Sequence, residues 1–155
     1  MLCFHRDNGS ASNLCRPCSM RFNDRGPEPF AINIEQAADQ NRAFRVALWT
    51  GRCLQLTLMC IPEDGEIGCE VHRDTDQFIR VESGQGTIRM GSGRERMNLQ
   101  RRIGEGDAVF VPAGTWHNII NSGNCPLKLT SIYAPPNHPR GIVHMTKKDA
   151  ERAEK

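Results

Sequence analysis

The sequence has no long apolar run, few aromatic residues and no excess of either charge. Its 155 residues include 20 lysines and arginines, 18 aspartates and glutamates, and 6% aromatic residues. A membrane-spanning helix needs about 20 apolar residues, and the longest apolar run here is far shorter. The basic residues are scattered and do not interleave with aromatic ones, so we expect neither a membrane nor a nucleic-acid partner. The chain length predicts one domain.

Residues 1–6 also lack the basic segment followed by an apolar stretch that marks a signal peptide. We therefore expect a cytoplasmic protein. The seven cysteines are odd in number, and we interpret them as reduced thiols rather than as a disulfide framework. Four of them are predicted to be small core residues: Cys53, Cys60, Cys69 and Cys125.

The first part of the chain differs in composition from the rest. It is rich in Asn, Ser, Arg, Gly and Pro and shows no apolar period, which predicts an N-terminal arm over residues 1–29, poorly ordered or packed on the domain. Four soft ligands in this arm could instead close a tetrahedral zinc site: Cys3, His5, Cys15 and Cys18. The sequence also leaves open whether translation starts at Met1 or at Met20.

From residue 43 onward, short strand patterns alternate with turn residues. Leu54, Leu56, Leu58 and Cys60 recur at period two, which is the spacing of a strand with one apolar face. Eight or more such strands with little helix predict an all-β fold, either an antiparallel sandwich or a closed barrel. The strands are predicted at residues 44–49, 54–60, 66–71, 77–82, 86–90, 95–101, 107–112, 115–121 and 127–133.

Two short helices are predicted to flank these strands. Asn33, with Gln36 three residues later, has the pattern of a helix N-cap. Thr146 and Asp149 form a similar pair and predict a charged terminal helix. The chain is thereby divided into an arm over residues 1–29, a barrel over 30–145 and a C-terminal helix over 146–155.

Two separated polar clusters could together form a metal site. Glu70 and His72 are two residues apart, so one strand would present both side chains on the same face. Gln77 begins the next strand and can face the same interior, whereas His117 comes from a distant hairpin. Glu70, His72 and His117 would then form a two-histidine, one-carboxylate face with open positions. These ligands suit Mn, Fe(II), Co, Ni or Zn, and the sequence does not choose among them.

Each of these residues also has an ordinary interpretation. A single histidine or glutamate on a strand is more often a core or surface residue than a ligand. The joint pattern argues against this, because two inward histidines with a glutamate and a glutamine are costly to bury without partners. Gln77 has the weakest support, since amides are poor neutral ligands and Asp76 beside it could compete.

Residues 106–121 resemble the second motif of the cupin superfamily, G-x5-P-x-G-x2-H-x3-N. They match it at every fixed position: Gly106, Pro112, Gly114, His117 and Asn121. The first motif, G-x5-H-x-H-x3,4-E-x6-G, is matched with changes. Glu70 stands where the first histidine is usual, Gln77 stands where the glutamate is usual, and Gly65 is one residue closer than the pattern asks.

The resemblance covers roughly residues 43–134 and implies a jelly-roll barrel, a double-stranded β-helix, that binds a divalent metal ion. The chain is similar to small single-domain bacterial cupins and, more distantly, to phosphomannose isomerase-type cupins, which use Gln, two His and Glu on zinc. The exchanged residues keep one carboxylate in the ligand set. A divalent ion would thus leave the site at about +1, still a Lewis acid.

The resemblance implies a metal-dependent enzyme that isomerises or oxygenates a small oxygenated substrate, such as a sugar, a sugar phosphate or a dicarbonyl. A non-catalytic cupin that binds or senses a sugar or an organic acid stays open. Enzymes usually need a titratable group beside the metal, and the sequence secures none besides the ligands themselves. The catalytic residues are therefore unknown at this stage.

Residues outside the two motifs supply further candidates. Tyr133, His138 and His144 follow the last predicted strand and could act as acid or base over the barrel mouth. Arg80 could anchor an anionic substrate, but it is three residues from Gln77 and should face the other side of the strand, as a surface or dimer contact. Small barrels with exposed edges often pair, so we expect a homodimer through the strands that precede the first motif.

Overall fold

The computed structural model describes residues 22–153. The possible zinc ligands Cys3, His5, Cys15 and Cys18 and the alternative start at Met20 lie outside these residues. The described part of the predicted arm lies against the first strand. There, Arg25 donates its backbone N–H to the carbonyl of Leu48, and Asp24 bonds Thr50.

Strands dominate the described chain, with one short helix before them and one after. The N-terminal helix is α1 (Ile34–Gln40), and the C-terminal helix is α2 (Lys147–Ala153). Neither helix in residues 22–153 is long and apolar enough to cross a membrane. The strands are β1 (Arg45–Thr50), β2 (Gln55–Ile61), β3 (Asp76–Ser83), β4 (Gln85–Gly91), β5 (Leu99–Gly104), β6 (Ala108–Val111), β7 (Trp116–Asn121), β8 (Leu127–Ala134) and β9 (Val143–His144).

The strands form two antiparallel sheets that enclose one core. One sheet has the order β6-β3-β8-β2-β1-β9, and the other has the order β5-β4-β7. Ile79 and Leu129 of the larger sheet and Ile88 and Ile119 of the smaller one are at most 1% exposed and belong to one apolar cluster. The predicted all-β jelly roll is confirmed, and so is the short C-terminal helix.

The apolar alternation in β2 marks the outer face of the barrel. Leu56 and Leu58 pack with Ala37 and Ala38 of α1 in a second apolar cluster, while Leu54 is 40% exposed. The other face of β2 points inward and is fully buried, although half of it is polar: Gln55, Thr57, Met59 and Ile61. Helix α1 therefore accounts for the outward leucines, and the inward polar residues are available to a site.

Two of the predicted strands were wrong in part. Residues 66–71 make only isolated bridges, because Gly68 has a φ of 104° that interrupts the extended backbone. The strand expected over residues 95–101 begins at Leu99, because Arg96 donates its backbone N–H to the carbonyl of Gly93 and closes a turn there. Both helix caps form as predicted: Asn33 accepts from the N–H of Gln36, and Thr146 exchanges hydrogen bonds with Asp149.

The cysteine predictions also need correction. Cys53 is exposed, because it lies in the turn closed by the hydrogen bond from the N–H of Gly51 to the carbonyl of Leu54. Cys60, on the outer face of β2, and Cys69 are only half-buried. These three are free thiols, but Cys125 is disulfide-bonded and thus departs from the expectation of reduced thiols.

Candidate metal centre

The backbone brings the first and second motifs together at Glu70 and His117. These residues form an antiparallel bridge in which each N–H donates to the carbonyl of the other at 3.0 Å. His72, two residues after Glu70, accepts at its carbonyl from the N–H of Gly114 at 2.7 Å. Gly114 has a φ of 80°, which suits glycine in the tight turn after Pro112. The turn before β7 therefore docks directly on the segment that carries two of the candidate ligands.

Three side-chain atoms converge at this junction. The Nε2 atoms of His72 and His117 each lie 3.4 Å from Oε1 of Glu70, and the three atoms all lie within 4.8 Å of one another. They are buried, and within the described residues none of them has a hydrogen-bond partner. Buried polar atoms without partners are rare in folded proteins. One shared partner could satisfy all three atoms, and a cation can accept a lone pair from each of them.

The tautomer of His117 agrees with a ligand role. Its Nδ1 lies 3.1 Å from the carbonyl oxygen of Thr115, which can only accept a hydrogen bond. The neutral ring therefore carries its proton on Nδ1, which leaves Nε2 as the nitrogen that can bind an ion. A backbone carbonyl that fixes the second ring nitrogen is a common feature of histidine ligands to metals.

Gln77 presents a fourth atom to the barrel interior. The residue is 3% exposed, and its Nε2 donates to Oγ of Ser131 at 2.8 Å. Its Oε1 is buried and is left with no hydrogen-bond partner in the described chain. Asp76, the possible competitor, is exposed and accepts from the N–H of Ala113 instead. The amide oxygen of Gln77 is thus available as a neutral ligand.

Glu70 is ionised in this setting. Burial works against its charged form, but contacts with His117 and His72 and the positive charge of Arg45 outweigh it and hold the pKa of the carboxyl well below its usual range. Nη2 of Arg45 lies 3.7 Å from Oε2 of Glu70. Glu70 therefore directs Oε1 to the histidines and Oε2 to the guanidinium.

Two of the three acid or base candidates lie beside the cluster. Tyr133 is fully buried and packs edge-on against His72, with ring centroids 5.5 Å apart, and His138 packs edge-on against Tyr133 at 4.9 Å. Burial raises the pKa of Tyr133. Burial, with help from the charge of Arg45, lowers the pKa of His138 to about 3. His144 is on β9, paired through its backbone with Arg45, and is not part of the three-ligand group.

Arg80 lies where its spacing from Gln77 predicts, on the outer side of β3. Its side chain is 42% exposed and pairs with Glu82. It is therefore not an anchor for a ligand in the barrel. Arg45 is the interior cation that the sequence prediction missed: it is 1% exposed although it begins an otherwise apolar strand. The available signal was a charged residue inside the run Phe44–Trp49, on the face opposite Val46 and Leu48.

Comparisons with known proteins identify the family to which the fold belongs. Residues 57–133 match the family described as the cupin domain. The chain is 53% identical to the uncharacterized protein YrkC of Bacillus subtilis over 136 residues, which are 88% of this chain and 73% of YrkC. It is 36% identical to the uncharacterized protein L612 of Acanthamoeba polyphaga mimivirus over 115 residues, 74% of this chain and 70% of L612.

A solved structure supports the same assignment. The crystal structure of BH2720 from Bacillus halodurans superposes with a TM-score of 0.83 at 52% identity and covers 84% of this chain and 98% of BH2720. The family match over residues 57–133 spans both segments that carry the candidate ligands. The chain belongs to the cupin family.

Proposed function

We propose that this cupin is a metal-dependent enzyme acting on a small oxygenated molecule, with a divalent ion held by Glu70, His72, Gln77 and His117. One observation carries the proposal: Oε1 of Glu70 and Nε2 of both histidines are buried, converge within 4.8 Å and have no hydrogen-bond partner among the described residues. Burying such atoms without a partner is costly, and an ion between them would remove that cost.

The candidate ligands indicate which ions could bind and what chemistry a bound ion would supply. Two imidazoles, one carboxylate and one amide oxygen suit Mn, Fe(II), Co, Ni or Zn. When bound, such an ion would supply Lewis acidity that polarises a substrate hydroxyl or carbonyl. Glu70 provides the one negative charge of the ligand set. Thr115 holds His117 in the tautomer that presents Nε2, and Ser131 turns the amide of Gln77 so that its oxygen faces inward.

The reaction class is supported by the ligand set and by the resemblance to phosphomannose isomerase-type cupins. A two-histidine, one-carboxylate face leaves positions for adjacent substrate oxygens. Sugars, sugar phosphates and dicarbonyls all carry such oxygens, and either isomerisation or dioxygenation would use them. Tyr133, which keeps its proton, can donate a hydrogen bond toward negative charge on a substrate oxygen near His72.

A second candidate is a non-catalytic cupin that binds or senses a sugar or an organic acid in the same pocket. The pKa values of the acid and base candidates favour this non-catalytic role, because the pKa of His138 is lowered to about 3 and that of Tyr133 is raised. Groups whose pKa values lie far from neutral pH are inefficient proton-transfer catalysts.

We also propose that the protein is a cytoplasmic homodimer that pairs through β1 and β2, the strands before the first motif. Leu54, at the start of β2, is 40% exposed, and exposed apolar residues are available to an interface. Sedimentation equilibrium tests this: a dimer that Leu54→Asp converts to a folded monomer supports it, and a monomeric wild type contradicts it.

Metal analysis and turnover assays test the two functions. The purified protein is incubated with each of Mn, Fe(II), Co, Ni and Zn, desalted and analysed for metal. It is then assayed against aldoses, ketoses and dicarbonyls while oxygen uptake is monitored. We expect one ion per chain and turnover by at least one metal form. Ligand binding without turnover by any form would favour the binding module, and a wild type that retains no ion would contradict the metal site.

Matched glutamate variants separate the site from nonspecific binding. Glu70→Gln should lose the ion, whereas Glu63→Gln, the same change at an exposed turn residue, should retain it. His72→Gln keeps the Glu70–Arg45 pair intact and provides a second test if Glu70→Gln does not fold.

A further inference from the structure

We infer that the metal site takes its ligand as an anion, a small carboxylate with a neighbouring hydroxyl or carbonyl oxygen, and that Arg45 binds the carboxylate. The inference rests on the proposed function, because it assumes an ion at Glu70, His72 and His117. It adds a substrate class and assigns a ligand-binding role to a residue outside both sequence motifs.

Arg45 is built into the barrel interior. Its strand pairs with β2 on one side, where Arg45 is opposite the inward-facing Met59, and with β9 on the other. Its neighbour Val46 packs in the outer cluster with α1, so Arg45 points the opposite way. The side chain is 1% exposed, and its charge acts on Glu70, Tyr133 and His138. The guanidinium therefore belongs to the same interior as the candidate ligands.

The charge balance of this interior changes when an ion binds. In the protein alone, the negative charge of Glu70 lies beside the positive charge of Arg45. The other candidate ligands, two imidazoles and an amide, carry no negative charge. Within residues 22–153, no further side chain of the candidate site offsets the two positive charges that a divalent ion adds. The other carboxylate buried in residues 22–153 is Glu82, which pairs with Arg80 on the outer side of β3. Uncompensated charge in a protein interior is strongly unfavourable, so the loaded site favours an anionic ligand.

The geometry points to a carboxylate. Glu70 divides its two oxygens between the histidines and Arg45, so the guanidinium lies next to the ion position rather than across the barrel. A guanidinium has five N–H donors in a planar fork that matches a planar carboxylate. A carboxylate could thus bind Arg45 while its neighbouring oxygen reaches the ion.

A phosphate is a weaker fit to the same residues. The other cation buried in the described chain, Lys128, bonds the carbonyl of Asn41 under α1 and is not part of the site. Among the described residues, Arg45 is then the one buried side-chain cation beside the candidate ligands. Phosphate, with three strong acceptor oxygens, is typically held by several cations or backbone N–H groups.

Calorimetry on the metal-loaded protein tests the inference. Lactate and lactamide have nearly the same shape and both carry a 2-hydroxyl, but only lactate is charged. We expect the Co(II)-loaded wild type to bind lactate at least tenfold more tightly than lactamide and also more tightly than inorganic phosphate. Lactate should also shift the visible absorption spectrum of the bound Co(II). Equal affinity for lactate and lactamide would overturn the inference, and Arg45-dependent phosphate binding tighter than that of lactate would overturn the carboxylate assignment.

Variants of Arg45 separate ligand binding from support of Glu70. Arg45→Met should retain Co(II) and lose most of the preference for lactate over lactamide. Arg45→Lys should keep part of it, and Arg101→Met, the same loss of charge at an exposed position, should keep all of it. If Arg45→Met retains the wild-type preference, or if both Arg45 variants lose Co(II), Arg45 acts only through Glu70 and the inference fails. A wild type that binds no metal contradicts the proposed function instead.

Discussion

Glu70 and His117 are direct partners across an isolated antiparallel bridge, each donating its N–H to the other's carbonyl at 3.0 Å. Side chains of directly opposed residues in such a pair leave the sheet on the same face. The backbone therefore fixes the carboxylate against the imidazole before any ion is present. His72 joins them from the same segment, where its carbonyl accepts from the N–H of Gly114. The geometry of the site thus depends on three backbone hydrogen bonds rather than on a long strand.

Metal binding should stabilise the fold through these residues. An ion that binds only the native state, at about 100 times its Kd, adds about 2.7 kcal/mol to the free energy of unfolding. We expect a higher thermal midpoint with the bound ion than after treatment with a chelator. Differential scanning calorimetry measures it, with Glu63→Gln as the control. His72→Gln should show no difference between the two conditions, and a full metal-dependent shift in that variant would place the ion elsewhere.

Gln77 should contribute to metal affinity less than the charged and imidazole ligands do. Its oxygen is neutral, but it is buried and turned inward by Ser131. Gln77→Ala should raise the Kd for the ion by about tenfold, within the range that supporting groups around metal sites produce. Competition with a chelating dye measures this. Asp76→Asn, at the exposed neighbouring position, should leave the Kd unchanged, and an equal loss in both variants would exclude a ligand role for Gln77.

Much of the barrel could be predicted from local patterns. Period-two alternation and Gly- or Asn-rich turns indicated the strands, and the caps at Asn33 and Thr146 indicated both helices. The bridge segment could not be placed correctly, because residues 66–71 alternate like a strand while Gly68 turns the backbone to a φ of 104°. The backbone hydrogen bonds of this segment are made with residues far away in sequence. The local sequence pattern therefore does not show which of its residues are paired.

Arg45 shows why the surroundings of the candidate ligands were harder to predict than the candidate ligands themselves. Glu70, His72 and His117 are at motif positions. An arginine at the start of an apolar strand, by contrast, is normally predicted to be exposed. Its burial depends on Glu70, which is distant in sequence, and on the cover that β9 gives to β1. The burial of a charge through contacts with distant residues depends on the tertiary structure and cannot be predicted from a short stretch of sequence.

The last residue of the second motif, Asn121, should support stability rather than metal binding. Its Nδ2 donates to the carbonyls of Ile61, Pro62 and Cys125, and its Oδ1 accepts from the N–H of Gly123. Asn121→Ala leaves several buried groups unpaired and should lower the free energy of unfolding by about 2–3 kcal/mol. Urea unfolding measures this loss against Asn98→Ala, which changes an exposed residue. Metal content should be unchanged in the folded variant, and its loss would make Asn121 part of the site.

His138 should make stability depend on pH in the metal-free protein. Burial lowers its pKa from 6.5 to about 3. Between these pH values His138 is protonated in the unfolded chain but stays neutral in the native state. Its contribution is thus fully present above about pH 6.5 and is lost progressively toward about pH 3. The free energy of unfolding should fall by up to about 1.4 kcal/mol per pH unit in this window because of His138 alone.

The neutral side chain of His138→Gln isolates this contribution. The backbone of His138 is held by two hydrogen bonds with the side chain of Gln55, which the exchange leaves in place. Urea unfolding of both proteins at about pH 7 and about pH 5, with a chelator present, should give a smaller loss in the variant, by about 2 kcal/mol. Parallel losses in the two proteins would mean that His138 titrates in the native barrel as it does in water. Its ring would then be open to solvent rather than packed against Tyr133.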